Sequence, residues 1–150
     1  MWQRIQTVFL ALVAVSMLIS LILPIWSAQV QDEQYALTAF YYKAGDAYVY
    51  NPYALTAMLA IASVTLAIIE ITKFKNRYTQ MKLGALNSLF IAGTIGSAVY
   101  FASQLIRTAE TGGAYGLGLW LPGVAVVCNL LANRFIRRDE KLVRDADRLR

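Results

Sequence analysis

The stretch LGALNSLFIAGTIGSAVYFASQLI, residues 83–106, contains no charged side chain. At a helical rise of about 1.5 Å per residue it exceeds the roughly 20 residues that cross a hydrocarbon core about 30 Å thick. Three more uncharged runs accompany it, at 5–31, 47–69 and 111–133. Backbone N–H and C=O groups find no water in lipid, so runs of this length satisfy themselves as helices, and the charged clusters between them belong in water or among headgroups. The chain therefore reads as an all-α integral membrane protein, a four-transmembrane-helix bundle forming a single domain. Its spans are expected at about 6–27, 53–71, 83–106 and 114–133, followed by a tail at 134–150.

Composition closes off other classes. Hydrophobic residues make up 58% of the chain and charged residues 15%, against roughly 25% charged in soluble domains. The net charge of +5 sits in residues that flank the spans, where basic side chains set orientation and meet anionic lipid, so no nucleic-acid partner is expected. There is no histidine, and the single Cys128 lies inside an apolar run. It has no partner for an intrachain disulfide and no imidazole base to activate it, and the spans hold no paired carboxylates. Neither a cofactor, a metal nor an enzymatic activity is expected.

Orientation follows from the basic residues between spans, which resist translocation. Arg4 precedes span one; Lys73, Lys75, Arg77 and Lys82 fill the second connection; Arg134, Arg137, Arg138, Lys141, Arg144, Arg148 and Arg150 fill the tail. Of 14 basic residues only Lys43 and Arg107 fall on the other side. Both termini are thus expected in the cytoplasm (N-in/C-in), in a bacterial inner membrane. A signal peptide cut after Ala28 would put bulky Trp26 where a small residue is required, so the first helix reads as a permanent anchor.

The connections differ in kind. Residues 28–52 hold Tyr35, Phe40, Tyr41, Tyr42, Tyr48 and Tyr50, interrupted by Lys43-Ala44-Gly45-Asp46, turn residues between two β-prone runs. A short extracytoplasmic hairpin is one reading, and an interfacial aromatic belt is the other account of the rings. Asn51-Pro52 reads as a helix cap and first turn before span two. Residues 111–116 read as a flexible outer turn, and Pro122 as a site where span four bends.

Small residues suggest the seams. Gly84, Ser88, Ala92 and Gly96 recur every four residues in span three, and Thr56, Ala60, Ser63 and Ala67 trace a similar stripe in span two. Such stripes let helices approach closely within one chain or, on span three, between two copies.

The polar residues in the spans are the candidate site. Gln6, Glu70, Asn87 and Asn129 all lie near the cytoplasmic charges Arg4, Lys73, Lys82 and Arg134 and are expected at similar depth. One reading is an ion pair from Glu70 to Arg4 or Arg134, with amide bonds locking the four helices. The chemical alternative is a proton- or cation-linked site open to the cytoplasm. The tail repeats apolar residues at Phe135, Leu142 and Leu149 with a favourable Glu140–Arg144 spacing, an amphipathic basic helix for the inner leaflet, for a protein partner or for packing under the bundle.

Met1-Trp2-Gln3-Arg4-Ile5-Gln6-Thr7, then Phe74-Lys75-Asn76-Arg77 with Gln80, form two motifs. The third runs from Leu131-Ala132-Asn133-Arg134 through Asp139-Glu140-Lys141-Leu142-Val143-Arg144 to Asp147-Arg148-Leu149-Arg150. Together these resemble the bacterial membrane family catalogued as domain of unknown function 4293. The resemblance covers the whole chain and implies four spans; it carries no activity and no catalytic residue. Two functions of different class follow. The first is a non-enzymatic scaffold or accessory subunit that presents Arg77, Gln80 and the basic tail residues Arg137, Arg138, Lys141, Arg144 and Arg148 to anionic lipid or a protein partner. The second is a small transporter or channel using the cluster around Glu70.

Overall fold

Four helices form the body of the molecule. In the computed structural model, which describes residues 2–30, 33–73, 76–109 and 112–147, α1 spans Trp2–Ile22 and gives way just before Pro24, which has no N–H for a further turn. The second helix, α2, spans Ala54–Thr72 and closes with the Lys73 N–H on the Ile69 carbonyl. α3 spans Arg77–Ala109. It starts under Asn76, whose Oδ1 accepts the Thr79 N–H at 3.1 Å, a side-chain cap for a first-turn donor that would otherwise have no partner. Leu117–Asp147 forms α4, which contains Pro122 and continues unbroken into the tail. All four helices are long and apolar enough to cross a membrane.

They pack as a ring, α1 against α2 and α4, and α3 against α2 and α4. On each helix one series of buried positions alternates in steps of four and three: 6, 10, 13, 17 and 20 on α1; 56, 60, 63, 67 and 70 on α2; 80, 84, 87, 91, 94 and 98 on α3; 118, 122, 125, 129, 132 and 136 on α4. That spacing averages 3.5 residues and is the seam of a left-handed helical bundle. The stripe expected on α3 is corrected by it. Steps of four advance about 40° around a helix each time, so the stripe leaves the interior: Gly84 is buried, whereas Ala92 and Gly96 are exposed. On α2 the expected stripe lies wholly inside.

Around a mostly apolar core, polar residues are enclosed and large apolar ones face outward. Ser63, Asn87 and Asn129 are fully enclosed, while Val8, Met58, Leu89, Trp120 and Val127 lie more than half exposed on the outer faces.

At the end opposite the termini, the all-α expectation is corrected by a five-stranded sheet. Its strands are β1 (Trp26–Val30), β2 (Glu33–Leu37), β3 (Tyr42–Ala44), β4 (Ala47–Val49) and β5 (Ala114–Tyr115). They run antiparallel in the order β4-β3-β2-β1-β5. The expected hairpin is there, β3 and β4 joined through Gly45 at φ +57° and Asp46, positive φ being what such a two-residue turn demands. The expected end of span one near 27 is also corrected, because residues 26–30 pair as a strand instead of continuing the helix. Asn51 and Pro52 form a turn ahead of α2 and do not cap it; Tyr53 holds the cap position, and no side chain bonds there.

The sheet is pinned to the helix ends. Ile25 N–H bonds the Leu37 carbonyl at 2.7 Å, Ala57 N–H the Ala39 carbonyl at 3.1 Å, and Gly116 N–H the Ile25 carbonyl at 2.9 Å. Beneath it Trp26, Leu37, Ala57, Ala98 and Phe101 form a buried apolar cluster. The turn read as flexible is, over 112–116, bound in place: β5 pairs β1, and Gly113, at φ +131°, lies against the buried Trp26 indole where a side chain would collide.

Candidate functional site

The polar residues of the bundle interior fall into two layers. In the first, Ser63 on α2 donates to Asn87 Oδ1 on α3 at 2.6 Å, and Asn87 Nδ2 donates to Asn129 Oδ1 on α4 at 3.4 Å. Asn129 Nδ2 returns to α3, bonding the Gly84 carbonyl at 2.9 Å and Ser88 Oγ at 2.8 Å. Three helices are thereby tied at one level, and both asparagines have their amides engaged. Gly84 belongs to this layer because Asn133 presses against it; a Cβ there would overlap the Asn133 amide.

One heptad nearer the termini lies the second layer. Counting seven residues from Ser63, Asn87 and Asn129 reaches Glu70, Gln80 and Ile136, all buried. Gln6 supplies the α1 member, one turn from Phe9, whose ring stacks on Phe135 at 5.7 Å. Here the polar groups are not matched. Gln80 Nε2 donates to the Glu70 backbone carbonyl at 2.9 Å. The Glu70 carboxylate oxygens and Gln6 Nε2 are enclosed without hydrogen-bond partners among the described residues.

The cluster read from sequence is thus divided. Asn87 and Asn129 meet; Gln6 and Glu70 sit about 10 Å away along the helices. The Glu70–Arg134 pair is corrected: Arg134 is exposed, and no ion pair reaches Glu70 among the described residues. The physical reason is direction, since Arg134 projects from the outer face of α4 while Glu70 points to the axis. The Arg4 side chain lies outside the described residues, as does Arg148. Ser63 and Ser88, which the spacing marked only as packing residues, prove to be hydrogen-bonding members of the first layer.

Two residues expected on a partner-facing surface are turned inward. Gln80 is buried and bonded to α2. Arg77 binds within the chain, Nη2 to Asp139 Oδ2 at 3.1 Å and Nη1 to the Asp139 carbonyl at 3.1 Å. The Glu140–Arg144 spacing produces no ion pair. Arg137, Arg138, Lys141 and Arg144 are exposed on α4.

The sequence profile of the family described as "Domain of unknown function (DUF4293)" matches residues 2–149. The chain belongs to that family. No curated protein matches it. Among the described residues of this DUF4293 member, no group of three or more His, Cys, Asp or Glu gathers that could hold a metal ion.

From the sheet to the helix ends, this DUF4293 chain carries a run of rings, Tyr35 on Tyr42, Tyr42 on Tyr53 and Tyr53 on Phe101. Tyr35 hydroxyl donates to Glu33 Oε2 at 2.8 Å, and that bond with the carboxylate's charge holds the phenol above its ordinary value. Burial, then the neighbouring Tyr53, raises Tyr42.

Proposed function

We propose that the chain spans a bacterial inner membrane four times and serves as a non-enzymatic scaffold or accessory subunit, with both termini and the α2–α3 turn in the cytoplasm. Apolar outer faces around an interior holding Asn87, Asn129 and Glu70 support the spanning reading, because an exposed apolar surface on every side is stable in lipid and not in water. The basic residues at the termini end support the orientation.

The observation that carries the scaffold reading is the end of α4. The helix continues past the bundle with Leu142 and Val143 exposed between Lys141 and Arg144, an amphipathic basic surface that a cytoplasmic protein would cover. A photo-crosslinking residue at 142 tests it in cells. The expected result is a protein adduct of one defined mass, lost with Lys141→Glu and Arg144→Glu and absent from a probe at lipid-facing 89. Adducts to lipid alone would overturn the scaffold reading.

A second reading has one observation in its favour, the enclosed and unmatched Glu70 carboxylate. A transporter using that group predicts an ion-dependent thermal shift of the purified protein that Glu70→Gln abolishes; a shift retained in the variant would remove it.

A further inference from the structure

A groove of about 390 Å³ opens on the outer seam between α3 and α4 at the termini end, lined by Ala85, Ser88, Leu130, Asn133, Arg134 and Arg137. Its chemistry changes along its length. Ala85 and Leu130 form an apolar bed within the uncharged runs, and Arg134 and Arg137 follow just where the uncharged run of α4 ends. Three residues apart, the two arginines share a face of the helix. Both are exposed, and neither has an ion pair among the described residues. Asp139, the carboxylate next along the helix, is held by Arg77. On the α3 side Lys82 stands one turn before Ala85, its ammonium 4.4 Å from the Tyr78 ring centre.

We propose that this groove binds one anionic phospholipid, its headgroup phosphate on Arg134 and Arg137 and an acyl chain along Ala85 and Leu130. Forked guanidinium groups match phosphate oxygens in geometry and charge, and the bed beside them fits hydrocarbon continuous with that phosphate. Free phosphate would use the arginines and gain nothing from the bed. Basic pockets between spans on the cytoplasmic side are where such headgroups are held, so the inference rests on the spanning reading above.

Native mass spectrometry of the purified full chain tests it, with phosphatidylglycerol or phosphatidylcholine of the same acyl chains added. The expected result is one phosphatidylglycerol retained per chain, about tenfold or more in preference to phosphatidylcholine, given two cationic contacts. Arg134→Gln with Arg137→Gln should erase the preference, and Leu130→Trp, which fills the bed, should lower retention of both lipids. Equal retention of the two lipids, or a preference that survives the double substitution, would overturn the proposal. Displacement of the lipid by millimolar inorganic phosphate would overturn it in favour of a phosphate site. Alkaline extraction of the same chain from membranes separates the two failures: release of the wild-type protein would refute the spanning reading itself.

Discussion

Glu70 is enclosed among four helices with no counter-charge among the described residues, an arrangement that costs stability if the group is charged and gains little if it is not. Because Arg134 is not its partner, neutralising Glu70 strands no cation among the described residues. Glu70→Gln should therefore leave stability unchanged or raise it, by up to about 1 kcal/mol. Unfolding in mixed detergent reads this directly, and a loss of more than about 1 kcal/mol would show that the carboxylate has a partner after all. Gly116 makes the opposite case. A Cβ there would meet the Pro24 carbonyl, which is backbone and cannot swing aside. Gly116→Ala should destabilise by roughly 1–3 kcal/mol and expose the β1–β5 edge to hydrogen exchange. An alanine variant as stable as the parent would mean that this contact relaxes freely.

At the scale of elements, what was legible in the chain was whatever depends on local length and period. Four uncharged runs give four helices, and Lys43-Ala44-Gly45-Asp46 gives the turn between β3 and β4, because each is fixed by neighbours in sequence. The rest of the sheet was not legible, since β1 lies inside the uncharged run that reads as span one and its pairing with β5 joins Trp26 to Tyr115. Residues 35–39 and 53–57 share the pentapeptide Tyr-Ala-Leu-Thr-Ala, yet the first begins within β2 and the second lies across the start of α2; tertiary pairing overrides a propensity that is the same in both. The candidate site was legible only as to which end of the bundle it occupies, since residues expected at one depth divide into two layers about 10 Å apart. Sequence position placed Glu70, Asn87 and Asn129 toward one end, while which of them meet depends on helix rotation. The asparagine layer has its own test. Asn129→Ala removes bonds to Asn87, Ser88 and Gly84 at once and should cost about 1–2 kcal/mol, the scale of buried interhelical bonds. The pair Asn87→Ala with Asn129→Ala should cost less than the sum of the single changes, whereas strict additivity would mean that the 3.4 Å bond between them contributes nothing.

For the whole molecule, the division between bundle and tail falls later than the charge pattern implies. The uncharged run of α4 stops at Asn133, and on length alone a chain cut there keeps its four spans. The next two turns nevertheless belong to the fold. Phe135 stacks on Phe9, Ile136 is fully buried, and Asp139 holds Arg77 at the head of α3. Burial of Ile136 contributes about 2 kcal/mol, the ring pair about 1 and the partly exposed ion pair up to about 1. Truncation after Asn133 should therefore lower stability by roughly 3–4 kcal/mol and loosen α1 from α4. Truncation after Glu140 should leave thermal unfolding close to that of the full chain, because Leu142 and Val143 contribute little apolar burial. Scanning both truncations in the same detergent distinguishes the cases. Equal melting temperatures for the two would mean that the α4 extension adds nothing to the bundle. A large loss on cutting after Glu140 would mean that the exposed end of α4 is fastened by contacts beyond Asp139, and it would leave no free helix end to offer a partner.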